Sequence, residues 1–148
     1  NKKALEAIDK ADYIFVGPGS LFTSIITNFL LIDILKHYQK SKAVKTYVCN
    51  VSTERGETDG FALSDHLKVL KSYGLDFDII LANNKHFKSG QGDGFIKPVI
   101  LDQDEEGIFS SRLVTKDLIN SQNPLYHEID KIGKEIWAII LKNKKGRL

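Results

Sequence analysis

The sequence has 148 residues, of which 42% are hydrophobic and 27% charged, with a formal net charge of +2. This composition is typical of one globular domain, and so mild a charge argues against a nucleic-acid partner. A single cysteine, Cys49, excludes a disulfide framework within the chain and a zinc site built on several cysteines. No apolar run reaches the roughly 18 residues that span a bilayer, so we expect a cytoplasmic protein with no membrane partner.

The first half of the chain alternates helices with short apolar runs. After an opening helix, YIFV (13–16) is typical of a buried parallel strand. The apolar residues from Ser20 to Gln39 predict one long helix. VKTYVCNV (44–51) is the second predicted strand, a polar loop follows it, and a helix runs from Phe61 to Tyr73. FDIILAN (77–83) is the third predicted strand.

The second half is less regular. FIKPVILD (95–102) and SRLVTKDLI (111–119) are strand candidates, and a last helix is predicted from Tyr126 to Lys142. The apolar residues expected on the buried side of that helix are Ile129, Ile132, Ile136, Trp137 and Ile140. The alternation of helices and strands predicts an α/β fold, in which helices cover both faces of a parallel sheet, in a single domain spanning 1–148.

Three polar segments follow the three predicted strands of the first half: GPGS, CNVSTERGETDG and ANNKHF. Ligands of open parallel sheets bind outside the carboxyl ends of the strands. We therefore expect these segments to converge at one edge of the sheet, and to form a ligand site there.

The stretch Gly17-Pro18-Gly19-Ser20 connects a strand directly to a helix. Glycines allow a ligand to approach the backbone, and the first turn of the helix offers unpaired N–H groups. With the hydroxyl groups of Ser20, Thr23 and Ser24, this turn suits an oxyanion such as a phosphate. The alternative is a plain turn in which Ser20 caps the helix. The motif alone does not decide between them, and it is neither a Walker loop nor a GxGxxG fingerprint.

The second segment concentrates ionisable side chains. Asp59 or Thr58 can cap the next helix, while Asp59 or His66 is a candidate general base. Asp65 and His66 are adjacent on a helix and so diverge by about 100°, which disfavours a shared metal. A solvated acidic loop is the simpler alternative. The amides that end the second and third strands suit a nucleobase or sugar hydroxyls, or else simple turns; they are Asn50, Asn83 and Asn84.

Two long stretches resemble a known family. ADYIFVGPGSLFTSIITNFLL and TERGETDGFALSDHL are similar to the gluconeogenesis factors, the YvcK-like branch of the CofD-like proteins related to 2-phospholactate transferase. Members carry GPGSLYTSIIPNLL and PGETDGYTASDH at these places. ILANN, KPVILD and LYHEIDKIGKEIWAIIL follow in the same order, so the resemblance covers nearly the whole chain.

The resemblance implies a three-layer, Rossmann-like fold and a cytoplasmic regulator that binds a UDP-sugar, notably UDP-N-acetylglucosamine. Such regulators link carbon metabolism to cell-wall synthesis and cell shape. The implied cleft uses Gly17 to Ser20, Asn50, the loop of Glu57, Thr58 and Asp59, and the aromatic Phe61, where the family usually has tyrosine. The family's opening GGGTG strand-turn-helix is not in this sequence, so we expect the chain to be the carboxy-terminal half of a larger CofD-like domain.

Two other functions stay open. A transferase of the 2-phospholactate type needs a nucleotide-activated donor and a deazaflavin acceptor. It also needs Mg²⁺ facing Asp59 or Asp65, whereas the regulator needs no cofactor beyond its UDP-sugar. The Gly-Pro-Gly-Ser corner departs from the transferase version of the motif, so we favour a non-catalytic binder. The third alternative is a structural role in which apolar helices form a homodimer.

Overall fold

Four short strands form one parallel sheet. They are Tyr13–Val16 (β1), Val44–Val48 (β2), Ile79–Asn83 (β3) and Arg112–Lys116 (β4). The computed structural model describes residues 1–85, 96–102 and 111–144, and within them the strands lie in the order β1-β2-β3-β4. Tyr13 pairs with Val44, and Thr46 with Ile79. All five residues of β3 are buried, as expected for a central strand covered on both faces.

Helices lie on both faces of this sheet. Their bounds are Lys2–Lys10 (α1), a π-helix Leu21–Ile26, Thr27–Phe29 (α2), Ile32–Lys40 (α3), Leu63–Ser72 (α4) and Ile129–Lys144 (α5). One apolar cluster joins the π-helix, α3 and α4 to the sheet through residues such as Leu21, Tyr38 and Leu70. A second cluster joins α5 to the opposite face around Leu81 and Ile139. The predicted α/β fold, with helices on both faces, is confirmed. None of the described helices is long and apolar enough to cross a membrane.

The continuous helix predicted from Ser20 to Gln39 is wrong. The chain forms a π-helix and the short α2, and Leu31 is extended before α3 begins. The Thr27 hydroxyl donates to the Thr23 carbonyl, and the Asn28 amide donates to the Ser24 carbonyl. Side chains that bond to the backbone in this way compete with regular helical hydrogen bonds. No glycine or proline marks the break in the sequence.

The strand predicted at FIKPVILD is also wrong for its described part, 96–102. This part does not join the sheet; it pairs with the loop after β2 through a single bridge between Pro98 and Ser52. Thr53 and Lys97 exchange hydrogen bonds, and the Val99 amide donates to Val51. Proline has no N–H to donate, which limits the ladder such a segment can form. The strand predicted within SRLVTKDLI is confirmed as β4.

The buried side predicted for the last helix needs correction. Ile129 is 83% exposed and Trp137 59% exposed, whereas Ile139 is buried and Ile132 packs beside it. The helix is therefore turned relative to the prediction, and it presents Ile129, Gly133, Trp137 and Leu141 along one outer line. The isoleucines form one broad apolar arc with Trp137 and Leu141, so periodicity alone did not identify which part of that arc is buried.

Candidate functional site

The glycine corner, residues Gly17 to Ser20, is where β1 turns against the end of β2. Gly17 has φ +85°, and a Cβ there would lie 2.6 Å from the carbonyl oxygen of Val48. Only glycine permits both this backbone conformation and this approach. The Asn50 side chain holds the corner from the other strand, because its Oδ1 accepts from Gly19 N at 3.0 Å and its Nδ2 donates to Gly19 O at 3.1 Å.

Two carboxylates accept hydrogen bonds from the polar groups in and beside the corner. Glu54 accepts from the Ser20 hydroxyl at 2.6 Å and from the Asn50 amide at 3.0 Å. One oxygen of Glu57 accepts from the backbone amides of Phe22 at 2.8 Å and of Thr23 at 3.0 Å. The expectation that the amides of this first helical turn are unpaired is therefore wrong for these two. A carboxylate already sits where a helix N-terminus attracts an anion.

The pKa values of these two carboxyl groups are shifted in opposite directions. Burial and the neighbouring Glu57 raise the pKa of Glu54. Burial also acts to raise the pKa of Glu57, but hydrogen bonds from Glu54 and from two backbone amides outweigh it, so that pKa is lowered. Glu57 therefore carries the negative charge at the helix terminus, and Glu54 is the group that takes up a proton first.

The other candidates in the second segment hold the loop together. Thr58 is buried, and its hydroxyl accepts from Glu54 N at 2.8 Å. Asp59 accepts from Gly56 N at 2.7 Å, and Asp65 accepts from Ala62 N at 2.9 Å at the start of α4. These bonds fix the shape of the loop that delivers both glutamates to the glycine corner.

His66 lies inside the protein. It is 1% exposed, and its Nδ1 is 2.9 Å from the Ala62 carbonyl oxygen. Its ring packs against that of Phe61 in an edge-to-face arrangement. Burial lowers the pKa of His66, which favours the neutral imidazole. Phe61 in turn packs against Phe22 of the π-helix. This arrangement connects α4 to the corner through packing, and it places His66 away from the solvent.

The third segment does not reach the glycine corner through its described residues. Asn83 is 6% exposed; its Oδ1 accepts from Leu118 N at 3.1 Å and Lys85 N at 3.3 Å, and its Nδ2 donates to Lys85 O at 2.8 Å. Asn84 is exposed, and its backbone N–H donates to the Lys116 carbonyl oxygen. The rest of ANNKHF lies outside the described residues.

A groove of about 660 Å³ opens beside the glycine corner, within the range of about 300–1,000 Å³ that is usual for small-molecule sites. The lining residues come from three parts of the chain: Pro18, Gly19, Ser20 and Ser24; Asn50, Val51, Ser52, Thr53, Glu54 and Arg55; and Ile96, Leu125, Tyr126 and His127. Parts of the first two predicted segments thus meet in one groove. Ten predicted residues are not among those that line it: Gly17, Thr23, Glu57, Thr58, Asp59, Phe61, Asp65, His66, Asn83 and Asn84.

His127 is one of the groove residues that sequence reasoning missed, along with Leu125 and Tyr126. Its position near the start of a helix indicated a capping or surface residue, yet both ring nitrogens are buried and neither has a hydrogen-bond partner among the residues the structure describes. Burial lowers the pKa of His127 to about 4. Only the fold reveals this, because α5 begins at Ile129 and the preceding turn carries His127 to the groove.

Comparisons with known proteins identify the family of the chain. The family model of the 2-phospho-L-lactate transferase CofD matches residues 1–143. A gluconeogenesis factor from Halalkalibacterium halodurans is 34% identical over 142 residues, which are 91% of this chain and 44% of that protein. A crystal structure of a UPF0052 family member from Bacillus halodurans has a TM-score of 0.84 and 34% identity, and the match covers 93% of this chain and 46% of that one.

The chain belongs to the CofD family of α/β proteins. Within that family its relatives include the gluconeogenesis factors. A gluconeogenesis factor from Thermotoga maritima is 50% identical over 84 residues, which are 56% of this chain and 27% of that protein. The chain spans less than half the length of these relatives.

Proposed function

We propose that this chain forms part of a gluconeogenesis-factor-type regulator that binds a nucleotide-sugar, UDP-N-acetylglucosamine, without catalysis. Through that ligand the regulator would link carbon metabolism to cell-wall synthesis and cell shape. The observation that carries the proposal is the groove beside the glycine corner. It lies at the carboxyl ends of β1 and β2, where ligands of parallel sheets bind, and the family relationship raises the expectation further.

The lining of the groove suits a nucleotide-sugar in three respects. Gly19 has no side chain to block a ligand, Ser20, Ser24 and Asn50 line the groove with polar groups, and Arg55 brings a positive charge. Asn50 and Ser20 are bonded to Gly19 and Glu54, so a ligand would share or replace these bonds. Tyr126, 66% exposed, adds an aromatic surface for a ring. A sugar diphosphate can use such uncharged donors and acceptors together with one cation.

The position of Glu57 determines where a phosphate could bind. Its carboxylate occupies the amides of Phe22 and Thr23, so a diphosphate either replaces it there or binds beyond it, beside Gly19 and Arg55. We propose replacement, in which Glu57 acts as an internal anion that holds the helix terminus in shape until the ligand arrives. Ligand binding then exchanges one anion for another, so the helix terminus keeps a counter-charge throughout.

The test is calorimetric titration and thermal denaturation of the full-length protein with UDP-N-acetylglucosamine. Wild type is expected to bind and to gain thermal stability at saturating ligand. In Gly19→Ala the new methyl group meets only Ser24 Cβ, at 3.5 Å, so the fold should persist while the groove narrows and affinity falls. Gly133→Ala on α5, where an added Cβ meets nothing within 4 Å, is the matched control and should bind like wild type. An unchanged melting temperature of the wild type at saturating ligand would reject the proposal.

The transferase function remains a second candidate because the matching family model is named for 2-phospho-L-lactate transferase. It requires a nucleotide-activated donor, a deazaflavin acceptor and Mg²⁺. The carboxylates suggested for the metal, Asp59 and Asp65, accept hydrogen bonds from their own loop, and they would have to exchange these for metal coordination. Incubation of the full-length protein with donor, acceptor and Mg²⁺ tests this candidate, and an absence of product at long times would remove it.

A further inference from the structure

One histidine that lines the groove has two buried polar atoms without the hydrogen-bond partners that such atoms normally have. Both nitrogens of His127 are buried, and the described part of the chain supplies a partner to neither. The segment that carries the ring is held firmly. Its backbone forms a bridge with Ile119, and the Leu125 carbonyl accepts from the Ser52 hydroxyl at 2.8 Å.

Such an arrangement is unfavourable for a residue that only packs. A buried donor or acceptor without a partner costs about 1–3 kcal/mol, and a neutral imidazole contains one of each. The contrast with His66 is informative, since the Nδ1 of that buried ring lies 2.9 Å from the Ala62 carbonyl oxygen. A phenylalanine at position 127 would avoid this cost, so the imidazole is expected to serve a partner other than the described residues of the chain.

We propose that His127 is a ligand-binding residue of the groove and that its imidazole hydrogen-bonds an uncharged hydroxyl or amide group of the nucleotide-sugar. This inference rests on the proposed function. The ring borders the groove, and rotation about χ2, which is a broad torsion for histidine, turns a nitrogen towards a ligand lying there.

The chemistry of the ring selects the uncharged part of the ligand. Burial lowers the pKa of His127 to about 4, so at neutral pH the ring carries no positive charge for a phosphate. A neutral imidazole both donates and accepts, as a sugar hydroxyl does. The charge needed for the diphosphate is on Arg55, which lines the same groove. The hydroxyl can belong to the ribose or to the N-acetylglucosamine ring.

The decisive variant is His127→Phe in the full-length protein, titrated calorimetrically with UDP-N-acetylglucosamine and separately with UDP. We expect equal or greater thermal stability, because the uncompensated polar atoms are removed. We also expect about three- to tenfold weaker binding of UDP-N-acetylglucosamine, the equivalent of one hydrogen bond. Weaker binding of both ligands places the contact on the ribose, and weaker binding of the sugar nucleotide alone places it on the N-acetylglucosamine. The control is His37→Phe on α3, whose ring pairs with Asp9 outside the groove.

The outcomes separate this inference from the proposed function. If wild type binds and His127→Phe binds as tightly, the role of His127 is rejected while the proposed function stands. If wild type binds neither ligand, the proposed function fails and the inference fails with it. Should the variant not fold, the ¹⁵N resonances of the wild-type imidazoles give the same decision. UDP-N-acetylglucosamine should shift those of His127 and leave those of His66 in place, and unmoved His127 resonances in a saturated sample would overturn the inference.

Discussion

The chain uses an asparagine at the carboxyl end of β2 and another at the carboxyl end of β3, but the two serve different purposes. Asn50 is half-buried and bonds to Gly19 and to the carboxylate of Glu54. Asn83 is buried and bonds only to backbone groups, which fasten β3 to the chain after β4. The first belongs to the glycine corner, and the second forms an asparagine corner that is closed and neutral.

The two strand ends are therefore built differently. At the glycine corner the carboxyl groups of Glu54 and Glu57 take part in the bonds, and such groups can exchange one partner for another. At the asparagine corner the bond to Leu118 is buried, and breaking it would cost about 1–3 kcal/mol for each orphaned group. We therefore propose binding at the first corner and a structural role for the second.

The largest effect is expected from Gly17→Ala. Alanine at φ +85° costs about 1–2 kcal/mol, and its methyl group would lie 2.6 Å from a backbone oxygen of Val48 that cannot move alone. We expect a loss of about 3 kcal/mol or more in the free energy of unfolding, measured in urea. Gly19→Ala, two residues away and without this contact, should lose less than about 1 kcal/mol. Equal losses in the two variants would show that the corner is not built around Gly17.

The next effect is expected from Asn83→Ala. The substitution leaves the amide of Leu118 without its acceptor inside the protein, so the free energy of unfolding should fall by about 2–3 kcal/mol. Affinity for UDP-N-acetylglucosamine should stay unchanged in the molecules that remain folded. The neighbouring Asn84→Ala, at an exposed position, should change stability by about 0.5 kcal/mol at most. A selective loss of affinity in Asn83→Ala would move the ligand towards the asparagine corner.

The smallest effect concerns pH at the glycine corner. Burial and Glu57 raise the pKa of Glu54, so protonated Glu54 contributes stability at low pH. This contribution is lost as the pH rises from about 4.3, the ordinary pKa of a glutamate, through the raised pKa. Glu54→Gln keeps an uncharged group there, so it should exceed wild type in stability at pH 7 by less than about 1 kcal/mol. This advantage should vanish near pH 4. Urea unfolding at both pH values measures it, and an advantage independent of pH would show that the charge of Glu54 is irrelevant.

Local patterns predicted the parts of the fold that depend on neighbouring residues. YIFV is a strand with the predicted limits, and the glycines beside it form the predicted corner. The break at Leu31 was not predictable, since apolar residues continue across it and no glycine or proline marks it. The line Ile129–Trp137 of α5 is exposed because packing, rather than periodicity, decides which side of an isoleucine-rich helix is buried.

The site was predictable as a place but not as a set of contacts. The order of strands and loops indicated that Gly19 and Asn50 meet. Nothing in the sequence indicated that Glu57 reaches back 34 and 35 residues to the amides of Thr23 and Phe22. The buried ring of His127 likewise depends on a bridge to Ile119 formed by the folded chain.

The position of Cys49 gives the groove a built-in reporter. This sole thiol directly precedes Asn50, is 1% exposed, and has its pKa raised to about 12 by burial. Alkylating reagents attack thiolates, so modification requires the end of β2 to separate from its surroundings. The rate of labelling in the native protein therefore measures how often this strand end opens, and a ligand bound against Asn50 would lower that rate.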